Sequence, residues 1–231
     1  MPVAIITGAS RGFGRAMATD LVKDGWKLVI DGRRAADLGQ AEQGLTGLGG
    51  MVRAIVGDVA DPEHRAALVA AAAELGGVDL LVNNASELGP SPLPNLDRFP
   101  LDVLREVYEV NVIAPLGLVQ LTLPQLRRST RGVVVSMSSD AAVEAYQGWG
   151  GYGSSKSALD QLHRVLAAEE PALLVYQFDP GDMRTGMHRA AFPGEDISDR
   201  PEPDSVVPAL RRLLESGSPS GRYRAADWGQ S

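Results

Sequence analysis

"VAIITGASRGFGRAMATDL", residues 3–21, runs from a short apolar stretch through a glycine-bearing turn into apolar residues at helical spacing. The stretch VAII is too short for a helix and has no polar alternation, which suits a strand buried on both faces of a parallel sheet. Phe13, Ala16, Met17 and Leu21 then mark the inner stripe of a helix. Between them, Gly8, Gly12 and Gly14 allow a tight turn and a close backbone approach to a ligand. Free amides and the helix dipole at that point favour a pyrophosphate. The same glycines would also serve a helix entry that only needs positive backbone angles, and their spacing differs from the G-x-G-x-x-G fingerprint. Position decides for a nucleotide: the turn follows the first strand of an alternating chain.

That alternation extends outward. Apolar runs recur as KLVI at 27–30, VRAIV at 52–56, VDLLV at 78–82, GVVV at 132–135 and LLVYQF at 173–178, with helix-period segments between them, such as Leu159, Leu162, Val165 and Leu166. Strand and helix in turn predict an α/β fold: a doubly wound, Rossmann-like parallel sheet flanked by helices, with right-handed crossovers. No composition shift marks a boundary, so residues 1–231 read as a single domain. Proline-rich stretches at 89–95 and 192–205 read as surface loops. Each strand ends in polar or glycine residues: Thr7-Gly8, Asp31-Gly32, Gly57-Asp58, Asn83-Asn84, Ser136 to Ser139 and Asp179-Pro180-Gly181. Ligands of open α/β sheets bind at the carboxyl ends of the strands, so this edge carries the site.

Composition narrows the chemistry. The 231 residues are 44% apolar, enough for one sizeable core. A net charge of −7 with no basic run beyond Arg33-Arg34, Arg127-Arg128 and Arg211-Arg212 lacks a nucleic-acid footprint. Without cysteine, and with only His64, His163 and His188, scattered, no metal site is expected. No basic leader and no membrane-length apolar run is present, so a cytoplasmic protein without a membrane partner is expected.

With its motifs in order, the chain resembles the short-chain dehydrogenase/reductase family in its single-domain form. T-G-x-x-x-G-x-G matches at 7–14, so Gly8, Ser10, Arg11, Gly12, Phe13 and Gly14 are implied cofactor contacts. Asp58 and Val59 resemble the adenine contact, and Asn83, Asn84 and Ala85 the loop after the fourth strand, with Ser86 standing where the family usually has glycine. Asn111 in "EVNVIAPL", Ser139, and the Tyr152-x-x-x-Lys156 pair correspond to the catalytic tetrad. "PGDMRT" at 180–185 resembles the segment beside the nicotinamide, including Pro180, Gly181 and Thr185. The resemblance implies a homodimer or homotetramer with the helix after Tyr152 at an interface. It also implies that Lys156 binds the nicotinamide ribose and that Asn111 keeps a water linking the lysine to solvent.

Residues four apart on a helix share a face, so Tyr152 and Lys156 can reach one site. A phenol with a pKa near 10 is shifted toward its anion by a nearby cation, here Lys156 assisted by an oxidised nicotinamide. In reduction the tyrosine donates its proton to a carbonyl oxygen that Ser139 holds. Taken alone, the pair is a buried tyrosine beside a solvent-reaching lysine; Ser139 and Asn111 give it meaning. Two other readings use the same fold: a dinucleotide-sensing binding protein without turnover, and a lyase or epimerase with tightly held NAD.

An acid at the end of the second strand binds a free ribose 2′-hydroxyl, whereas an arginine binds a 2′-phosphate. "GWKLVIDGRR", 25–34, places Gly32 at the acid position and Arg33 next, with Asp31 one place early and on the opposite strand face. With Arg11, this favours NADP(H) over NAD(H). The substrate is a small-molecule carbonyl or alcohol. Residues 186–205, containing Met187, Phe192 and Ile197, are expected to form a lid. Glu87, Leu88, Glu144, Tyr146, Trp149, Met183 and His188 are candidate pocket residues, His188 with a surface position in view.

Overall fold

The computed structural model describes residues 1–229 of the chain. Seven parallel strands form one sheet in the order β3-β2-β1-β4-β5-β6-β7. They are β1 (Val3–Ile6), β2 (Lys27–Gly32), β3 (Val52–Val56), β4 (Leu80–Asn83), β5 (Val133–Met137), β6 (Leu174–Asp179) and β7 (Gly221–Arg224). The helices are α1 (Gly12–Lys23), α2 (Ala35–Gly47), α3 (Pro62–Leu75), α4 (Leu101–Tyr108), α5 (Ala114–Leu126), α6 (Gly150–Glu169), α7 (Gly186–Ala191) and α8 (Pro203–Ser216).

The absence of polar alternation in the strands has its explanation in two cores. Ala4 and Ile6 of β1 join Leu28, Ile30, Met17, Leu21, Leu210 and Leu213 beneath α1, α2 and α8. Val3 and Ile5 turn the other way, joining Val29, Leu81, Val134, Leu68, Leu118 and Leu126 beneath α3 and α5. Both strand faces are therefore apolar. Strand order reverses between β1 and β4, and the carboxyl ends of the strands open there into a crevice.

The structure adds to and corrects several expectations. Strand β7, "GRYR", was not among the expected strands: it is a short edge strand, and no apolar run announces it. Residues 203–205, expected within a surface loop, form the first turn of α8, where Pro203 suits a helix start. Val165 was expected on the inner stripe of α6 but is 42% exposed. Helices α4 and α5 form one continuous run, joined by a π-helical turn at Glu109–Ile113. That run, Leu101–Leu126, is long and apolar enough by composition to cross a membrane. Its inner side packs on α3, β4 and α6, burying Val107, Val112, Leu118, Val119 and Leu126.

Candidate active site

The first turn is welded to the loop after β4. Thr7 Oγ1 accepts the Asn84 and Ala85 amides, both at 3.0 Å, while Asn84 Nδ2 donates to the carbonyls of Thr7 at 2.8 Å and Gly8 at 3.2 Å. Gly8 has φ +65°, and a Cβ there would sit 2.9 Å from Ala85 Cα. At Gly14 a Cβ would sit 2.4 Å from Asn84 Nδ2, so this crossing has no room for a side chain. Helix α1 begins on an Arg11 N-cap that offers no side-chain acceptor, and its first turn carries no acid. Its leading amides and dipole are left for an external anion, which fits a dinucleotide pyrophosphate.

Asp31 does not face the crevice. Its Oδ1 accepts the Gly8 amide at 2.6 Å and its Oδ2 accepts His64 Nε2 at 3.0 Å, with both side chains buried. Beneath the turn, both carboxylate oxygens are thus occupied. Arg33 is 60% exposed, 3.3 Å from Glu87 and 3.9 Å from Asp58. Asp58 also caps the next turn through the Ala60 amide at 2.9 Å. The Val59 and Ala60 carbonyls accept buried Arg65 at 2.6 and 3.0 Å, which pins the loop implied to meet adenine.

Tyr152 and Lys156 lie on the buried face of α6, with Lys156 Nζ 5.4 Å from the tyrosine ring centre. The ammonium donates to the Met137 carbonyl at 2.8 Å. Burial lowers the Lys156 pKa to about 8, opposed by the Asp160 carboxylate. Burial also pushes the Tyr152 phenol well above its ordinary value, and the Asp179 and Asp140 carboxylates add to this. The hydroxyls of Ser86 and Ser139, close enough to hydrogen-bond the phenol oxygen, pull the other way. In the protein by itself, burial thus opposes the anion that Lys156 and an oxidised nicotinamide are expected to favour.

Ser139 accepts the Ala141 amide at 3.2 Å and donates to Asp140 at 3.0 Å. Asn111, fully buried in the π turn, uses its whole side chain. Its Oδ1 accepts the Glu87 amide at 2.8 Å and the Ser86 hydroxyl at 3.1 Å, and its Nδ2 donates to the Glu87 carbonyl at 2.8 Å and Ser155 Oγ at 3.0 Å. A water linking Lys156 to this segment would have to use a main-chain group instead. Sequence reasoning marked Ser86 only as a departure; its hydroxyl donates to Asn111, and it is among the groups that lower the Tyr152 pKa.

Gly181, at φ +70°, donates its amide to Asp179 at 3.0 Å, and Thr185 caps α7 by accepting the His188 amide at 3.2 Å. Thr185 Cγ2 comes within 3.8 Å of where a Gly12 Cβ would be, so the last segment closes over the first turn. The implied cofactor contacts from Gly8 through Thr185, with Ser139, Tyr152 and Lys156, line a single cleft of about 1000 Å³; Gly14 is the exception, packed against Asn84 beneath it. Of the tetrad, only Asn111 lies behind its wall. Among candidate pocket residues, Glu87, Leu88, Trp149, Met183 and His188 line the cleft, whereas Glu144 and Tyr146 do not. His188 is buried rather than on the surface, 3.5 Å from Asp182 and packed on Phe192 with ring centres 4.8 Å apart. Trp149 stands edge-on to Tyr152 at 5.7 Å and beside Phe192 at 5.8 Å, an aromatic wall next to the phenol.

Residues 2–196 match the family model described as short chain dehydrogenase. Among curated proteins, sepiapterin reductase of Xenopus laevis is 33% identical over 204 residues, 82% of this chain and 76% of that protein. An alcohol dehydrogenase from Thermococcus sibiricus, complexed with 5-hydroxy-NADP, superposes with TM-score 0.87 at 29% identity, covering 97% of this chain and 95% of that one. A short chain dehydrogenase from Shigella flexneri, complexed with NADP, gives TM-score 0.91 at 27% identity, covering 97% of each.

Proposed function

The chain belongs to the short-chain dehydrogenase/reductase family of oxidoreductases, and we propose that it interconverts a carbonyl and its alcohol with NADP(H). The observation that carries this reading is the buried Tyr152–Lys156 pair, with Ser139 at the phenol, opening onto the cleft that the glycine turn begins. Bound nicotinamide would supply or accept the hydride. In reduction, Tyr152 donates its proton to the carbonyl oxygen, and the Ser139 hydroxyl holds that oxygen in line. Lys156, protonated at neutral pH by its pKa of about 8, stabilises the phenolate left behind and is in place to hold a ribose hydroxyl.

Preference for NADP(H) is supported by the pairing of Asp31 beneath the turn, the lack of a side chain at Gly32, and Arg11 and Arg33 on the cleft wall. The NADP-bound neighbours agree with it. Trp149, which lines the cleft beside Tyr152 and is backed by Phe192, favours a flat, conjugated carbonyl, in keeping with the relative named for sepiapterin. Residues 186–205 act as the lid: Met187 and Phe192 pack on the cluster of Leu88 and Tyr152. A homodimer or homotetramer is the working assembly.

The test is oxidation of NADPH and, separately, NADH with sepiapterin, diketones, quinones and aldehydes. Loss of a positioned acid–base group costs about 10²–10⁴-fold, and Tyr152→Phe should lower turnover by that much. A Tyr152→Phe enzyme with undiminished reduction would sink the proton-donor role. Cofactor binding without turnover on any carbonyl would favour the sensing protein instead.

A further inference from the structure

Asn83, Ser136, Gln177 and Arg222 are register partners across β4, β5, β6 and β7, so they form one polar row on the sheet face that α6 covers. Arg222, at the edge of the row, is largely buried and reaches three pieces of the active site. One guanidinium nitrogen donates to the Ser139 carbonyl and to Asp179 Oδ2, both at 2.8 Å. Its Nε is 3.3 Å from Asp160 Oδ2, an ion pair off the hydrogen-bond axis.

Each attachment point adjoins a working residue. Ser139 lines the cleft with Tyr152 and lowers its pKa. Asp160 lies one helical turn beyond Lys156 and accepts the Ser138 hydroxyl at 2.8 Å. Asp179 immediately precedes Pro180-Gly181 and fixes that turn by accepting the Gly181 amide with its other oxygen. Arg222 lies outside the stretch that matches the family model, which ends at 196.

We propose that Arg222 is a positioning residue for this site: from the edge strand it ties the Ser139 loop, α6 and the Asp179 turn together and balances the carboxylates flanking Tyr152 and Lys156. Lys156, Asp160, Asp179 and Arg222 are two cations and two anions away from water. Taking away one cation leaves a buried carboxylate uncompensated, the costly way to break such a set. The charges facing Lys156 come from Asp160. Those facing Asp160 come from Arg222, Lys156 and Arg164, and those facing Tyr152 from Asp179 and Asp140. Asp160 is thus the common counter-ion of Arg222 and Lys156, and the positive charge of Arg222 beside it disfavours a proton on Lys156.

This inference rests on Tyr152 and Lys156 being the proton-transfer pair, yet its test needs no substrate. The chain has three lysines, Lys23, Lys27 and Lys156, so the protein labelled with ¹³C at lysine Cε gives a short NMR spectrum that Lys156→Met assigns. Lys156 should titrate near 8 in the wild type. In Arg222→Gln it should titrate higher by roughly 0.5–1 unit, since a like charge near its counter-ion is gone. Asp160→Asn should move it below the wild-type value, and adding Asp160→Asn to Arg222→Gln should cancel the rise. Arg222→Lys, which keeps the charge, should titrate like the wild type. If Arg222→Gln does not fold, Arg222→Met, which keeps the length of the side chain without its charge, takes its place. A Lys156 titration unchanged by removal of the Arg222 charge, or unchanged in Asp160→Asn, overturns the proposal. Absence of carbonyl reduction with the Lys156 shifts present would instead overturn the oxidoreductase mechanism and leave the charge balance standing.

Discussion

Asp31 and Arg33 are two positions apart at the end of β2 and meet opposite fates. Strand alternation sends Asp31 beneath the sheet edge, where the Gly8 amide and His64 occupy both its oxygens. Arg33 lies at the mouth of the cleft, beyond the strand end, with only exposed carboxylates for partners. Such surface pairs are worth little, so a phosphate can displace them. A hydrogen bond to a charged group contributes about 1.5–3 kcal/mol, which corresponds to roughly 10–100-fold in affinity. Arg33→Gln should therefore weaken NADPH binding by that factor and leave NADH nearly unaffected. Fluorescence titration of both cofactors measures it; NADPH affinity equal to the wild type would remove Arg33 from the phosphate site.

At the scale of elements, the cleft floor depends on how closely α1 crosses the loop after β4. A Cβ at Gly14 would lie 2.4 Å from Asn84 Nδ2 and 2.8 Å from the Gly8 carbonyl. Asn84 cannot swing aside without releasing the two carbonyls it holds. Gly14→Ala should thus cost about 1–3 kcal/mol as overpacking, lower Tm by roughly 2–4 °C per kcal/mol, and weaken NADPH binding because the amides move. Thermal unfolding with and without NADPH reads both effects, and a Gly14→Ala protein that melts and binds like the wild type would contradict the tight crossing. The turn was legible because glycine spacing records a local backbone demand. Strands β1 to β6 were legible because burial on two faces leaves an apolar run. Strand β7 was not, since an edge strand with arginines has no such pattern, and neither was the π turn that joins α4 to α5. Asn111, Ser139, Tyr152 and Lys156 could be put forward from the sequence because the resemblance rests on motifs in order along the chain. Arg222 could not, because its partners Ser139, Asp160 and Asp179 are joined to it only by the packing of β7 on β6 and α6.

Across the whole molecule, the sheet is covered on both faces, but the α5–α6 side keeps apolar residues in contact with solvent. Ile113 is 46%, Leu121 41% and Val165 42% exposed, and Leu116, Leu162 and Leu166 line a shallow groove between the two helices. A second copy of the chain is the proposed cover, so Leu121→Glu combined with Val165→Glu should lower the mass found by light scattering; an unchanged assembly would point to a different interface. Behind that groove lies His163. Its Nδ1 is 3.0 Å from the Leu159 carbonyl, which can only accept, so Nδ1 carries the proton and Nε2 accepts the Ser136 hydroxyl at 3.1 Å. The imidazole is therefore neutral, and burial lowers its pKa from 6.5 to about 4. Above 6.5 neither state is protonated here, and the fold has its full stability. As pH falls from 6.5 toward 4, the unfolded chain takes up a proton that the folded one excludes, so stability declines. The loss from this group between pH 7 and pH 5 is about 2 kcal/mol, from 1.36 kcal/mol per unit of pKa difference. Other groups contribute too, Asp160 with its raised pKa in the opposite sense. Comparison with His163→Gln isolates the histidine: urea unfolding at both pH values should show a smaller pH dependence in the variant by that amount. Equal pH dependence in the two proteins would mean that His163 is protonated in the folded state, against the hydrogen-bond pattern around it.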